Sequence, residues 1–136
     1  MRQKAQISIE YLIIIGFLTF VIIGILGIAF FYSGSIKDRL KIIQLNNFAN
    51  TVISSSELVF YYGEPSKTTF SVYLPENVKE IEIDGNYMFV TLQTNSGIEK
   101  NAYESDVPLS GEISINSGLK KIQIIATETN VVISQI

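Results

Sequence analysis

Glu10 is the one acidic or basic residue between Lys4 and Lys37, and it stands at the edge of a long apolar segment. That segment, Tyr11–Tyr32, contains 22 residues, and Thr19 is the one clearly polar side chain within it. A carboxylate inside hydrocarbon costs roughly 2.5–3.5 kcal/mol on insertion scales. The chemistry expected of Glu10 is therefore electrostatic pairing with a positive group, since a nearby ammonium would offset part of this cost.

The rest of the sequence contains little that indicates catalysis. There is no Cys and no His, so thiolate zinc sites and the commonest general base at neutral pH are both missing. The hydroxyls of Ser54, Ser55 and Ser56 have no His to activate them. We therefore predict that the chain is not an enzyme and needs no cofactor. A net charge of −3 without a basic patch also argues against a nucleic-acid partner.

A row of carboxylates marks the middle of the chain. Glu80, Glu82 and Asp84 alternate with Ile81 and Ile83, which places the three acids on one face of a predicted strand. Such a row could bind a hard cation such as Ca²⁺. The favoured interpretation is a solvated acidic face, which also discourages aggregation at a strand edge.

The apolar segment is long enough to cross a membrane. A helix of 22 residues spans roughly 33 Å, about the thickness of the hydrocarbon core of a bilayer. A secretory signal would be shorter and would end in a cleavage site of small residues. A plain signal anchor fits the length, and Arg2 and Lys4 would keep its N-terminus in the cytoplasm. A plain anchor does not explain Glu10.

A third interpretation comes from the residues around Glu10. Gln6, Ser8 and Glu10, followed by Tyr11 and Leu12, resemble the Q-x-S-x-E motif of archaeal type IV pilin-like proteins, the class III signal peptide family. The resemblance covers the leader and the apolar helix strongly and the rest of the chain only in general layout. It implies cleavage by a prepilin peptidase between Ala5 and Gln6, with the apolar segment retained on the mature chain.

The resemblance also implies a role for Glu10. Cleavage would leave a free amine on Gln6, and residues four apart on a helix face each other, so Glu10 could meet that amine or the same amine of a neighbouring subunit. The family assembles into helical surface filaments with the help of an assembly ATPase and a platform protein, and adhesion is the expected role. One alternative is a monomeric, membrane-tethered pseudopilin or surface-binding module. Another is a simple anchor in which Glu10 is solvated among the lipid headgroups.

The helical pattern continues beyond the apolar segment. Apolar residues recur every three to five positions as far as residue 60, with charged and amide side chains between them, so this half is amphipathic. Gly63 followed by Pro65 predicts the end of the helix. We therefore divide the chain into a cleaved leader (residues 1–5), a long helix (6–62) and a β-domain (63–136). Glycines within the apolar half could let helices pack closely, or could reflect the usual composition of membrane helices: Gly16, Gly24 and Gly27.

The β-domain alternates between apolar and polar residues, with turn residues at short intervals. The expected strands are 69–74, 78–84, 87–94, 98–103, 109–115, 119–126 and 131–136, and Asp84-Gly85 predicts a hairpin turn. The predicted fold class is therefore α+β, with a long N-terminal helix followed by a small antiparallel β-sandwich or barrel. Because 74 residues form a marginal core alone, the amphipathic half of the helix should pack against the strands and complete it. The expected location is the cell surface, after a stage as a single-pass membrane protein.

Overall fold

The computed structural model describes the backbone from residue 2 to residue 136 and the side chains from residue 9 onward. One helix, α1 (Arg2–Tyr62), is followed by seven strands. These are β1 (Lys67–Leu74), β2 (Val78–Asp84), β3 (Tyr87–Thr94), β4 (Gly97–Glu104), β5 (Leu109–Gly111), β6 (Gly118–Ala126) and β7 (Val131–Gln135). This arrangement confirms the predicted α+β class.

The end of α1 lies where the sequence predicts it. Gly63 has a φ of 76°, a left-handed conformation that glycine adopts without strain, and its N–H donates to the carbonyl of Phe60 at 2.9 Å. Pro65 then follows, and a proline cannot continue the hydrogen-bonding ladder of a helix. The chain divides into two compact units, and the boundary between them lies within α1. The first unit ends at Lys37, and the second comprises residues 38–136. The second is called the globular unit below.

The strands of the globular unit form two sheets. The larger has the order β1-β6-β7-β5, and the smaller is the meander β2-β3-β4. The predicted hairpin joins β2 to β3 through Gly85 and Asn86, with a φ of 57° at Gly85. This positive φ at the first loop residue suits the twist of a two-residue hairpin.

The fifth strand differs from its prediction in length and direction. It ends at Gly111 and not at Ile115, and it pairs with β7 in parallel, so the larger sheet is not purely antiparallel. Within residues 112–117, Ile113 and Ser114 make contacts that alternation does not reveal. Ile113 is buried, and the Ser114 hydroxyl donates to Gln135 Oε1 at 2.8 Å while accepting from Lys120 Nζ at 2.6 Å.

The core of the globular unit combines residues of both sheets with residues of α1. The helix contributes one face, made of Leu45, Phe48, Ala49, Val52, Ile53 and Val59. The strands contribute the inward positions of their alternating patterns, among them Met88, Val90, Leu92, Ile122, Ile124 and Ile133. The prediction that the amphipathic half of the helix completes the core is confirmed. The apolar periodicity did not distinguish buried from exposed positions, however, since Leu40 and Ile43 are exposed.

Gly111 allows a close approach of two backbones. Its φ is 121°, and a Cβ at this position would lie 1.9 Å from the carbonyl oxygen of Ile133. Gly118 has nearly the same φ of 120° but has nothing within 4 Å of the corresponding Cβ. Gly111→Ala should therefore destabilise the globular unit by about 3 kcal/mol more than Gly118→Ala, because only the first substitution adds a clash to the backbone strain.

Thermal unfolding of the full-length chain in detergent, followed by circular dichroism, measures this difference. About 3 kcal/mol corresponds to a Tm lower by about 12–24 °C in a domain of this size. Equal Tm values for the two variants would show that the β5–β7 pair can separate without loss.

Candidate membrane and assembly segment

The apolar segment Tyr11–Tyr32 has a side-chain surface that no other part of its compact unit covers. Every residue of this segment is exposed, and the bulky side chains include Leu12, Phe17, Phe20, Phe30 and Phe31. By length and composition α1 can cross a membrane, and it is the one such helix among the described residues. So large an apolar surface requires lipid or other protein around it. The segment is therefore compatible with a single-pass membrane protein.

The two polar side chains near this segment differ in their hydrogen bonding. The Thr19 hydroxyl donates to the carbonyl of Ile15 at 2.8 Å, so the helix itself satisfies it. Glu10 is exposed beside the exposed Tyr11 and Leu12. The predicted cleavage between Ala5 and Gln6, and the roles predicted for Gln6 and Ser8, concern side chains outside the described residues.

The three glycines named above share one side of the helix. At 100° per residue, Gly16, Gly24 and Gly27 fall within an arc of about 80°. A Cβ added at any of them would meet nothing within 4 Å. The space beside them is therefore open to a neighbouring helix, and their predicted packing role remains a prediction.

Three polar contacts attach α1 to β4 and to the loops on either side of it. Asp38 Oδ2 accepts the backbone N–H of Asn95 at 3.0 Å, and Asp38 is almost fully buried. Farther along the helix, the Tyr103 hydroxyl donates to Asn46 Oδ1 at 2.7 Å. Near its end, Glu57 Oε1 accepts the backbone N–H of Asp106 at 3.0 Å. Sequence reasoning missed these residues, because the contacts join positions 57, 57 and 49 residues apart and follow no local pattern.

The opposite side of α1 in the globular unit is exposed. Leu40, Ile43, Leu58 and Tyr61 are all exposed and fall within an arc of about 60° at 100° per residue. Asn47 and Ser54 fall within the same arc, and Asn50 and Thr51 lie about 20° beyond its two edges. One face of this half of the helix is thus packed in the core, while the other face is exposed and carries both apolar and polar side chains.

Tyr103 gives the globular unit a dependence on alkaline pH. Burial raises the pKa of the Tyr103 hydroxyl above its ordinary value of 10.0. The unfolded chain then loses this proton more readily than the folded chain, so the stabilisation is complete below about pH 10 and is lost as the pH rises through the folded-state pKa. We expect wild type to lose more stability than Tyr103→Phe between about pH 9 and pH 11.

Urea unfolding at each pH measures this loss for both chains. Tyr87→Phe provides the control: a hydrogen bond to Glu104 also raises the pKa of Tyr87, but Tyr87 is exposed to solvent and should contribute little. A loss of stability that is the same in wild type and Tyr103→Phe would assign the alkaline sensitivity to other groups.

The acidic row of β2 is exposed to solvent. Glu82 forms a salt bridge of 3.2 Å with Lys100, and the side chains of both residues are about half exposed. Lys100 Nζ also lies 4.8 Å from the centre of the Phe89 ring. No group of three or more His, Cys, Asp or Glu side chains arranged for a metal ion occurs within residues 9–136. The exposure of the three carboxylates agrees with the favoured interpretation of a solvated face.

The chain was compared with protein families, with curated proteins and with solved structures, and none of them matched it.

Proposed function

We propose that this chain is the structural subunit of an archaeal type IV pilus-like surface filament, processed by a prepilin peptidase and polymerised through α1. The observation that carries the proposal is the combination of one carboxylate, Glu10, within the Q-x-S-x-E motif and a wholly exposed apolar segment directly after it. The motif accounts for processing, and the exposed segment accounts for polymerisation.

The exposed apolar segment supports two successive environments. Before assembly, lipid would surround Tyr11–Tyr32, whose length matches a bilayer core. After assembly, the same segments of neighbouring subunits would surround it, with close approach at Gly16, Gly24 and Gly27. Since lipid tails are as apolar as the packed side chains, the net gain on leaving the membrane is small. An energy-consuming assembly ATPase and a platform protein fit this balance.

Glu10 would determine how neighbouring subunits align. Cleavage after Ala5 places the new amine of Gln6 four residues before Glu10, a separation that brings two groups to the same face of a helix. Pairing of Glu10 with that amine, on its own chain or on a neighbour, neutralises a charge that hydrocarbon disfavours. Pairing between chains is what fixes the register: because each subunit carries one such acid, only one axial alignment places every acid beside a neighbour's amine.

The second half of α1 supports the same arrangement. Its inner face belongs to the core of the globular unit, while Leu40, Ile43, Leu58 and Tyr61 remain exposed on the other face. In a filament these residues would face neighbouring helices, and the strands would form the outer surface that mediates adhesion.

Electron microscopy of sheared surface material tests the proposal, together with the intact mass of the native chain. We expect filaments that bind antibodies against this chain, with a mass showing Gln6 as the first residue. A monomeric, membrane-tethered surface module would also show Gln6 but would be recovered as single copies. An intact Met1 together with single copies would indicate a plain signal anchor and would exclude the filament.

A further inference from the structure

The two sheets of the globular unit differ in the charge of their outer faces. Both sheets turn one face toward the same core, so their other faces lie on different sides of the unit. On the outer face of the larger sheet the charged residues are Lys67 and Lys121. The outward positions of that sheet, all of them described, hold no carboxylate. We call it the lysine face.

The outer face of the smaller sheet is called the acidic face. Its outward positions carry four carboxylates and one lysine, namely Glu80, Glu82, Asp84, Glu104 and Lys100. Lys79 is exposed as well and lies at the irregularity in β2, between Val78 and Glu80. Among the described side chains, the salt bridge on this face joins Lys100 to Glu82. Glu80 and Asp84 are therefore left without a basic partner.

The spacing of the unpaired charges is the same on the two faces. Glu80 and Asp84 are four residues apart on one strand, a distance of about 13–14 Å. Lys121 lies beside Ser71 in the β1–β6 pair, four residues along from Lys67 and one strand across. The two lysines are therefore about 14 Å apart. Two lysines and two acids at equal spacing can form two contacts at once.

Exposed apolar residues extend the match beyond the charges. On the lysine face, Tyr73 and Leu119 lie directly opposite each other, one step past Lys121, and Leu119 is 73% exposed. On the acidic face, Ile98 lies one step past the level of Glu80, two strands across on β4, and is 69% exposed. Each face thus has two levels of charge followed by a level with an exposed apolar side chain. Side chains of this size gain most from a surface that covers them.

We infer that the lysine face of one copy of this chain binds the acidic face of the next, with Lys67 beside Asp84 and Lys121 beside Glu80. The contact uses two different faces, so each copy keeps one face for a further copy. A heterologous contact of this kind produces an open helical array when it does not close into a ring. The inference rests on the proposed filament and assigns the contact between the globular units on its outer surface.

Carbodiimide treatment of wild-type filaments tests the contact directly. This reagent joins a lysine amine to a carboxylate that touches it. The two faces of one copy point away from each other across the core, so we expect no link between them within one copy. We expect mass spectrometry to find peptides linking Lys67 to Asp84 and Lys121 to Glu80. Filaments that are well formed but lack these linked peptides would overturn the inference and leave the filament proposal standing.

Charge reversal tests whether the charges matter. Lys67→Glu with Lys121→Glu makes both faces acidic, and Glu80→Lys with Asp84→Lys makes both faces basic. Either pair should lower the yield of sheared filaments at least fivefold, whereas all four substitutions together restore complementarity and should return the yield to within twofold of wild type. Glu76→Lys with Glu128→Lys is the matched control, because these exposed acids lie in turns outside both faces.

Different outcomes would contradict the contact between the two faces and the proposed filament function. Surface substitutions of this kind change stability little, so equal Tm values would show that every variant is folded. Equal filament yields in all the variants, or no recovery in the fourfold variant, would overturn the contact between faces. The absence of any filament from wild type would overturn the proposed function and this inference with it.

Discussion

Glu10→Ala is expected to abolish filaments while leaving the chain processed, folded and in the membrane. Without the carboxylate, no charged group at the edge of the apolar segment can pair with the Gln6 amine, so no axial alignment is preferred. The change also removes a membrane cost of up to roughly 2.5–3.5 kcal/mol, which shifts the balance further toward lipid. We expect the yield of sheared filaments to fall at least tenfold, with the intact mass still showing Gln6 first.

Two further variants give this experiment its controls. Glu10→Asp keeps the charge and should retain part of the yield. Thr19→Ala removes the other polar side chain of the segment, whose hydroxyl is already satisfied by the carbonyl of Ile15, and should polymerise normally. The Tm of the globular unit should be the same in all three variants. Normal filaments from Glu10→Ala would remove the alignment role from Glu10, whereas an uncleaved leader would assign Glu10 to recognition by the peptidase.

Local patterns were sufficient to predict most strands. The bounds of β2 and β3 agree with the structure, because alternation ends at turn residues on both sides of each strand. The end of β5 was predicted wrongly. Apolar and polar residues alternate up to Ile115, but the positive φ of Gly111 and the contacts of Ser114 with Gln135 and Lys120 turn the chain away from the sheet. The parallel pairing of β5 with β7 depends on the tertiary arrangement, which alternation does not encode.

The sequence alone identified the apolar segment more completely than it identified the buried and exposed faces in the second half of α1. Glu10, Thr19 and the apolar segment stand out in the sequence because a single acid beside 22 residues of this composition is unusual. Periodicity also indicated an amphipathic second half of the helix. It could not assign the two faces, since both carry large apolar residues, as Phe48 and Ile43 show. Only the position of the strands decides which face is buried.

The two faces of α1 in the globular unit should respond differently to alanine. Phe48 is the largest fully buried side chain of the unit, so Phe48→Ala should cost about 3–5 kcal/mol in the free energy of unfolding. Natural domains have about 5–15 kcal/mol in total, so this change removes a large part of the stability. We expect the Tm of the full-length chain in detergent to fall by about 15 °C or more.

Ile43→Ala is the matched variant. Ile43 lies five residues before Phe48, which places it about 140° away around the helix, and its side chain is 54% exposed. Truncating this side chain to alanine should change the free energy of unfolding by no more than about 0.5 kcal/mol. If the exposed face packs against neighbouring helices, the same variant should yield fewer filaments although it is fully folded. Equal Tm losses for Phe48→Ala and Ile43→Ala would contradict the assignment of the buried face, while unchanged filaments from Ile43→Ala would show that assembly depends on other parts of α1.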